Sequence, residues 1–262
     1  MTALWEVMLD VARLLTDAPG RIADSGTTTT LVDAAVMEQN DYYTGGALFI
    51  TSGSAAGSVR RINSYKESTF TFDALATAIV SGAVYVVTPP LFTADILKNS
   101  VNSVLKDELI IANDTTFETV ANQESYELPD GVFDIVRVEV ADSLTAPYLY
   151  KKSYNWYEVN GYLYFDDGYE PASDGFKIRL WYRTPHGELA ESGDLSDYVD
   201  LERIKWGSVV FAYRNLIERI RKDNPTALDL MNEAKTNEQN ALTRFKRIGV
   251  KTFPRDAHFA GY

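Results

Sequence analysis

The chain has 262 residues, 45% of them hydrophobic and 24% charged, with 37 acidic against 25 basic side chains and a formal net charge of -12. That length and balance describe a globular protein with room for one large core or two modest ones. The absence of cysteine excludes disulfides and thiolate metal sites, and the acidic excess argues against broad binding to phosphate backbones, which requires Lys and Arg to displace counterions.

Leu4, Val7, Met8, Val11, Leu14 and Leu15 recur at three- and four-residue steps behind Thr2 as a cap, so a helix is predicted near 3–16, ended by Pro19-Gly20. The segment has neither a basic start nor a continuous apolar run, and is expected to be neither a signal peptide nor a membrane anchor. From Thr27 the texture changes to Thr, Ser and Gly around short β-branched and aromatic runs. Five strands are expected at Thr30–Val36, Ala47–Thr51, Val59–Tyr65, Thr69–Phe72 and Ala83–Val87, forming a small sheet or barrel. Thr93 then caps a second helix near 93–109, with Ile96, Leu97, Val101, Val104, Leu105 and Leu109 on one side. A second β region follows, and Asn160-Gly161 supplies the two positive φ angles of a tight hairpin turn. Two further helices are predicted near 198–222 and 225–247. Asn224-Pro225 reads as cap and first turn of the latter, and Gly249 as its stop.

The end of the chain has a different character. Arg244, Lys246, Arg247, Lys251 and Arg255 face the single acid Asp256, which leaves the remainder of the chain near -16. Such polarity between body and tail concerns partners rather than fold. Phe253, Phe259 and Tyr262, set among Lys251 and Arg255, have the composition of a segment that orders on another surface.

No catalytic, cofactor or metal constellation emerges. The loop Ser52–Ser58, followed by Arg60 and Arg61, lacks the Lys and the following helix of a phosphate-binding loop and reads as a hairpin turn. The acids Asp166, Asp167, Glu170 and Asp174 lack calcium-loop spacing and read as a solvated turn. His186 and His258 have no metal-type partners at helical or strand spacing. Tyr148, Tyr150, Tyr154, Trp156, Tyr157, Tyr162, Tyr164 and Tyr169 admit two readings: a platform for sugars or bases, or sheet packing and subunit contact, which their alternation favours.

Three phrases carry a family resemblance. Ile50 to Tyr65 resembles a Gly/Ser/Ala loop leading into an Arg-Arg-Ile strand in tailed-phage virion proteins. Thr119 to Val140 resembles the β region of phage head-to-tail adaptors, and Trp206 to Phe245, broken at Asn224-Pro225-Thr226-Ala227, resembles their helical pair. The resemblance implies an α+β fold: a helical bundle core (1–18, 91–112 and 194–247) with two inserted antiparallel β regions (19–90 and 113–193) and an extended C-terminal docking arm (248–262). It also implies a structural virion protein of the neck, made in the host cytoplasm, with no enzymatic activity, no cofactor and no membrane. Its partners would be the portal and the tail or neck proteins. It would form a homo-oligomeric, dodecameric ring under the portal, with genomic DNA crossing the lumen without sequence-specific binding. Lys251, Phe253, Arg255, Phe259 and Tyr262 would be the portal contacts. The competing expectations are a carbohydrate-binding or carbohydrate-cleaving tail component, acting through Trp156 and Tyr164, and a tail-completion or decoration protein.

Overall fold

The computed structural model describes residues 2–166, 171, 173–190, 193–197, 199–224 and 226–248. These fall into two compact units, one made of residues up to Lys106 together with those from Gly187, the other of Asp107–His186.

The first unit opens with β1 (Thr2–Ala3) and α1 (Leu4–Thr16). Thr2 lies in a strand and does not cap the helix. Glu6 reaches back instead to accept a hydrogen bond from the Ala3 N–H at 3.0 Å. Seven strands follow: β2 (Arg21–Ile22), β3 (Ser25–Gly26), β4 (Thr30–Val32), β5 (Ala47–Ile50), β6 (Val59–Lys66), β7 (Thr69–Phe72) and β8 (Val84–Val87). They form one antiparallel sheet in the order β2-β8-β5-β6-β7-β4-β3. The outermost strands of that order are separated in the chain by only Ala23 and Asp24. The Ala23 N–H donates to Ala83 beside β8, and the next N–H, of Asp24, donates to Val32 in β4. Consecutive residues therefore bond to opposite ends of the sheet, which can happen only if the sheet curls until its ends meet. Inside lie Tyr65, Phe70, Tyr85 and Leu31, all fully buried. Their rings touch in sequence, Tyr65–Phe70 at 4.8 Å and Phe70–Tyr85 at 5.8 Å between centroids.

α2 (Ala94–Leu105) is capped by Thr93, whose hydroxyl accepts from the Ile96 N–H at 3.2 Å. The helix stops four residues short of the expected end. Leu109 instead opens β9 (Leu109–Glu118) of the second unit, where pairing to a long strand overrides the helical periodicity of Leu105 and Leu109. Then come β10 (Ser125–Glu127), β11 (Asp134–Ala141), β12 (Tyr150–Ser153), β13 (Trp156–Val159), β14 (Tyr162–Phe165) and β15 (Lys177–Pro185). A four-stranded sheet, β12-β11-β15-β9, and a three-stranded one, β10-β14-β13, share a single core. Ile135, Val138, Ile178 and Leu180 from the first pack with Tyr126, Trp156, Leu163 and Phe165 from the second. Asn160 and Gly161, at φ 52 and 80, turn β13 into β14 with Val159 opposite Tyr162.

The chain returns to the first unit with β16 (Asp194–Leu195), paired to β1, and with α3 (Leu201–Asp223) and α4 (Leu228–Ile248). Asp200 caps α3 through the Arg203 N–H at 3.1 Å. Asn224 closes α3 and does not open α4, its N–H donating to Ile220. Pro225 and Gly249 lie outside the described residues.

The expected helical bundle core is overturned. The described residues form sixteen strands and four helices, and nine of the twelve largest fully buried side chains stand on strands, from Trp156 and Tyr65 to Ile62. Only Leu4, Leu97 and Leu105 in that group belong to helices. α4 buries just Ala234 and Ala241, while Leu228, counted in its expected apolar stripe, is 58% exposed. An apolar stripe shows that a helix packs on one side. It does not show that helices pack chiefly on each other.

Candidate interaction surfaces

The first surface is the hairpin of α3 and α4. Arg244 lies 4.5 Å over the Trp206 ring, and Arg203 lies 4.2 Å over the Phe245 ring. Two reciprocal cation–π contacts thus tie the last turns of α4 to the start of α3, and Arg214 adds an ion pair to Glu238 at 2.9 Å. A side-chain-free position permits the approach: a Cβ on Gly207 would stand 2.9 Å from both Phe245 Cε2 and the Val104 methyls. The basic segment from Arg244 is helical as far as Ile248, in line with the helix expected to 247. Lys246 and Arg247 lie in its final turn, where cations complement the helix dipole. Lys251, Phe253, Arg255, Phe259, Tyr262 and His258 all lie outside the described residues.

The second surface is the outer face of the three-stranded sheet. Alternation sends Trp156, Leu163 and Phe165 inward and Tyr157, Val159, Tyr162 and Tyr164 outward. Tyr157 and Tyr164 are directly opposite and stack at 5.2 Å with planes 6° apart. Tyr157 is 45% and Val159 44% exposed. Trp156, expected as half of a sugar platform, is 2% exposed and donates its indole N–H to the Ser153 carbonyl at 3.0 Å. It is a core residue, unavailable for stacking on a saccharide. Tyr169, Asp167 and Glu170 lie outside the described residues. Asp174 is engaged structurally, accepting from the Ala121 N–H at 2.6 Å.

The Ser52–Ser58 loop is the turn between β5 and β6, with Gly53 and Gly57 at positive φ. Ser52 Oγ accepts from Val84 N–H and Ser54 Oγ donates to the Ala78 carbonyl. Arg60 donates to the Val59 carbonyl at 2.8 Å. Trp5, Val59, Arg61 and Lys98 border a half-open cleft of about 680 Å³ beside this loop, but Asp73 and Asp95 offset the cations there. His186 is buried, its backbone N–H donating to the Glu108 main-chain carbonyl. Among the described residues no three His, Asp or Glu converge as a metal set, and no helix is long and apolar enough to cross a membrane.

The opposite face of the four-stranded sheet carries a charged cluster that sequence reading missed. Glu139 on β11 accepts from Arg179 Nε at 2.6 Å and from Trp181 Nε1 at 3.0 Å, both on β15. Arg179 also lies 4.1 Å over the Tyr150 ring. Burial raises the Glu139 pKa, yet the Trp181 and Arg179 hydrogen bonds and the two nearby guanidiniums outweigh it and hold the carboxyl below its ordinary value. Alternation of Arg137 with Glu139 and of Arg179 with Trp181 was the only signal in the sequence, and it is silent on which strands pair.

The family model for the SU10 adaptor protein matches residues 92–252, more than half of the chain. The chain belongs to this family. The match runs from α2 through the whole second unit and both C-terminal helices, and leaves out α1 and the seven-stranded sheet. A search among curated proteins found no match. The adaptor is thus a phage protein of a structural family, as the two phrases inside the match, Thr119 to Val140 and Trp206 to Phe245, implied; the phrase Ile50 to Tyr65 lies outside it.

Proposed function

We propose that this adaptor joins the phage head to its tail as a homo-oligomeric ring under the portal, twelve-fold as the resemblance implies. In this reading residues 248–262 dock into portal clefts and the lumen continues the DNA channel. The observation that carries it is the family match over residues 92–252. The α3–α4 hairpin supports it further, because the stacked pairs Arg244–Trp206 and Arg203–Phe245 fix the helix end from which the arm departs. The acidic body gives DNA a surface past which it slides, since few cations are available to replace phosphate counterions. Lys251 and Arg255 would meet an acidic cleft, with Phe253, Phe259 and Tyr262 as apolar anchors.

The test is a chain ending at Arg247, lacking residues 248–262, mixed with portal rings. Loss of portal binding with unchanged thermal unfolding is the expected result, and retained affinity would reject the docking arm. Replacing Lys251 and Arg255 with Glu should weaken binding and also flatten its salt dependence.

A further inference from the structure

The four-stranded sheet of the second unit has one edge that is unlike the other. β9 is ten residues long, pairs only with β15 among the described strands, and leaves alternate backbone N–H and C=O groups of its other side without a strand partner. Edges of this kind are usually blunted by Pro, Lys or a bulge. Here the bulge comes late: Asp114 faces Leu180 while Phe117 faces Ile178, so the extra residue falls at 115–116, where Asp114 Oδ1 accepts from the Thr116 N–H. The six residues Leu109–Asp114 are a regular edge with no Pro, Lys or Arg, and their leading side chains Leu109, Ile110 and Ile111 are only half-buried.

The opposite edge, β12, carries Lys151 and Lys152, both exposed. β9 carries the acids Asp114 and Glu118 and no base, and β12 carries two bases and no acid. Strand direction completes the match. The sheet has an even number of antiparallel strands, so β9 and β12 run in opposite directions. A second copy in the same orientation presents its β12 antiparallel to this β9 and continues the alternation unbroken.

We propose that β9 of one copy takes β12 of the next as an added strand, making the subunit contact of the ring through backbone hydrogen bonds with acids facing lysines. The contact is heterologous, and it closes into a ring when each copy is rotated from the last by a fixed fraction of a turn. Pairing of β9 with β9 about a two-fold axis would bring two acidic strands with no base together, and charge opposes it. The inference rests on the ring reading above.

The chain's lack of cysteine makes the test clean. Asn113 and Lys152 are both exposed, so Asn113→Cys and Lys152→Cys are introduced together and singly into the full chain. Assemblies on portal-containing particles are then treated with a short bis-maleimide, which relaxes the register demand that a direct disulfide would impose. The expected result is a ladder of species at multiples of 29.3 kDa for the double variant and only monomer for each single variant. Multi-copy assemblies that give no ladder overturn the edge pairing and leave the ring reading standing. Cross-linked dimers from Asn113→Cys alone overturn it in favour of a two-fold contact. A single copy per particle overturns both.

Discussion

In the seven-stranded sheet the outermost strands, β2 and β3, are two residues long and joined through Ala23 and Asp24, whereas the four-stranded sheet ends on the ten-residue β9. The first sheet curls until its ends meet and bonds both through consecutive N–H groups. The second stays open. Both are antiparallel and both draw on alternating aromatic and β-branched residues, so strand propensity does not separate them. What differs is where the backbone hydrogen bonds go, inward to close a unit or outward toward a partner.

The largest test of this contrast is Phe70→Ala. It removes the ring that links Tyr65 to Tyr85 and should cost about 3–5 kcal/mol. The loss should appear in urea unfolding followed at Trp5 and Trp206 of the first unit, with Trp156 and Trp181 of the second unperturbed. Equal loss at all four would mean the two units unfold as one.

Tyr85→Phe is gentler. The Tyr85 hydroxyl donates to Asp33 Oδ2 at 2.6 Å inside the curled sheet, and burial together with that carboxylate pushes its pKa well up. Removing the hydroxyl leaves Asp33 buried without this donor, at about 1–3 kcal/mol by calorimetry.

In the open sheet, Glu139→Gln should cost about 1–2 kcal/mol at neutral pH through its weakened bonds to Arg179 and Trp181. The folded-state pKa of Glu139 lies below its ordinary value. Its contribution is therefore present above the ordinary carboxylate range and is lost as pH falls through the depressed folded value. Wild type and variant should converge in stability as the titration reaches that value, and a gap that persists in acid would remove Glu139 from the account.

The smallest effects on folding belong to the edges themselves. Asn113→Lys on β9 and Ile22→Lys on β2 both replace exposed residues and should change monomer stability by less than about 0.5 kcal/mol. Only the first should weaken self-association, measured by sedimentation, because only β9 offers a long unpaired edge.

Local signals were the legible part of this fold. Asn160-Gly161 forms its hairpin and Thr93 caps α2, because both depend on residues a few positions apart. β2, β3 and β16 were missed, since a two-residue strand has no periodicity; β2 and β16 exist only through the distant partners Tyr85 and Thr2, and β3 only through the turn that brings Gly26 opposite Leu31. β9 was divided between a helix and a β region because Leu109 continues the helical spacing of Leu105, and Pro185, its partner, lies far along the chain. The bundle core failed for a related reason: apolar spacing along α4 cannot distinguish Leu228, which is exposed, from Ala234, which is buried. Of the interaction surfaces, the aromatic alternation was visible, but the assignment of Trp156 to the inner face required the register of β13 against β14.

Arg21 faces Tyr85 and Ile22 faces Val84, so the chain goes into the seven-stranded sheet and comes out of it on neighbouring hydrogen-bonded strands. Cutting before β2 and after β8 would leave two chain ends side by side, with almost no gap for a replacement loop to span and little closure entropy to overcome. The sheet thus enters and leaves the chain at a single point, just ahead of the segment from residue 92 onward that the family model matches.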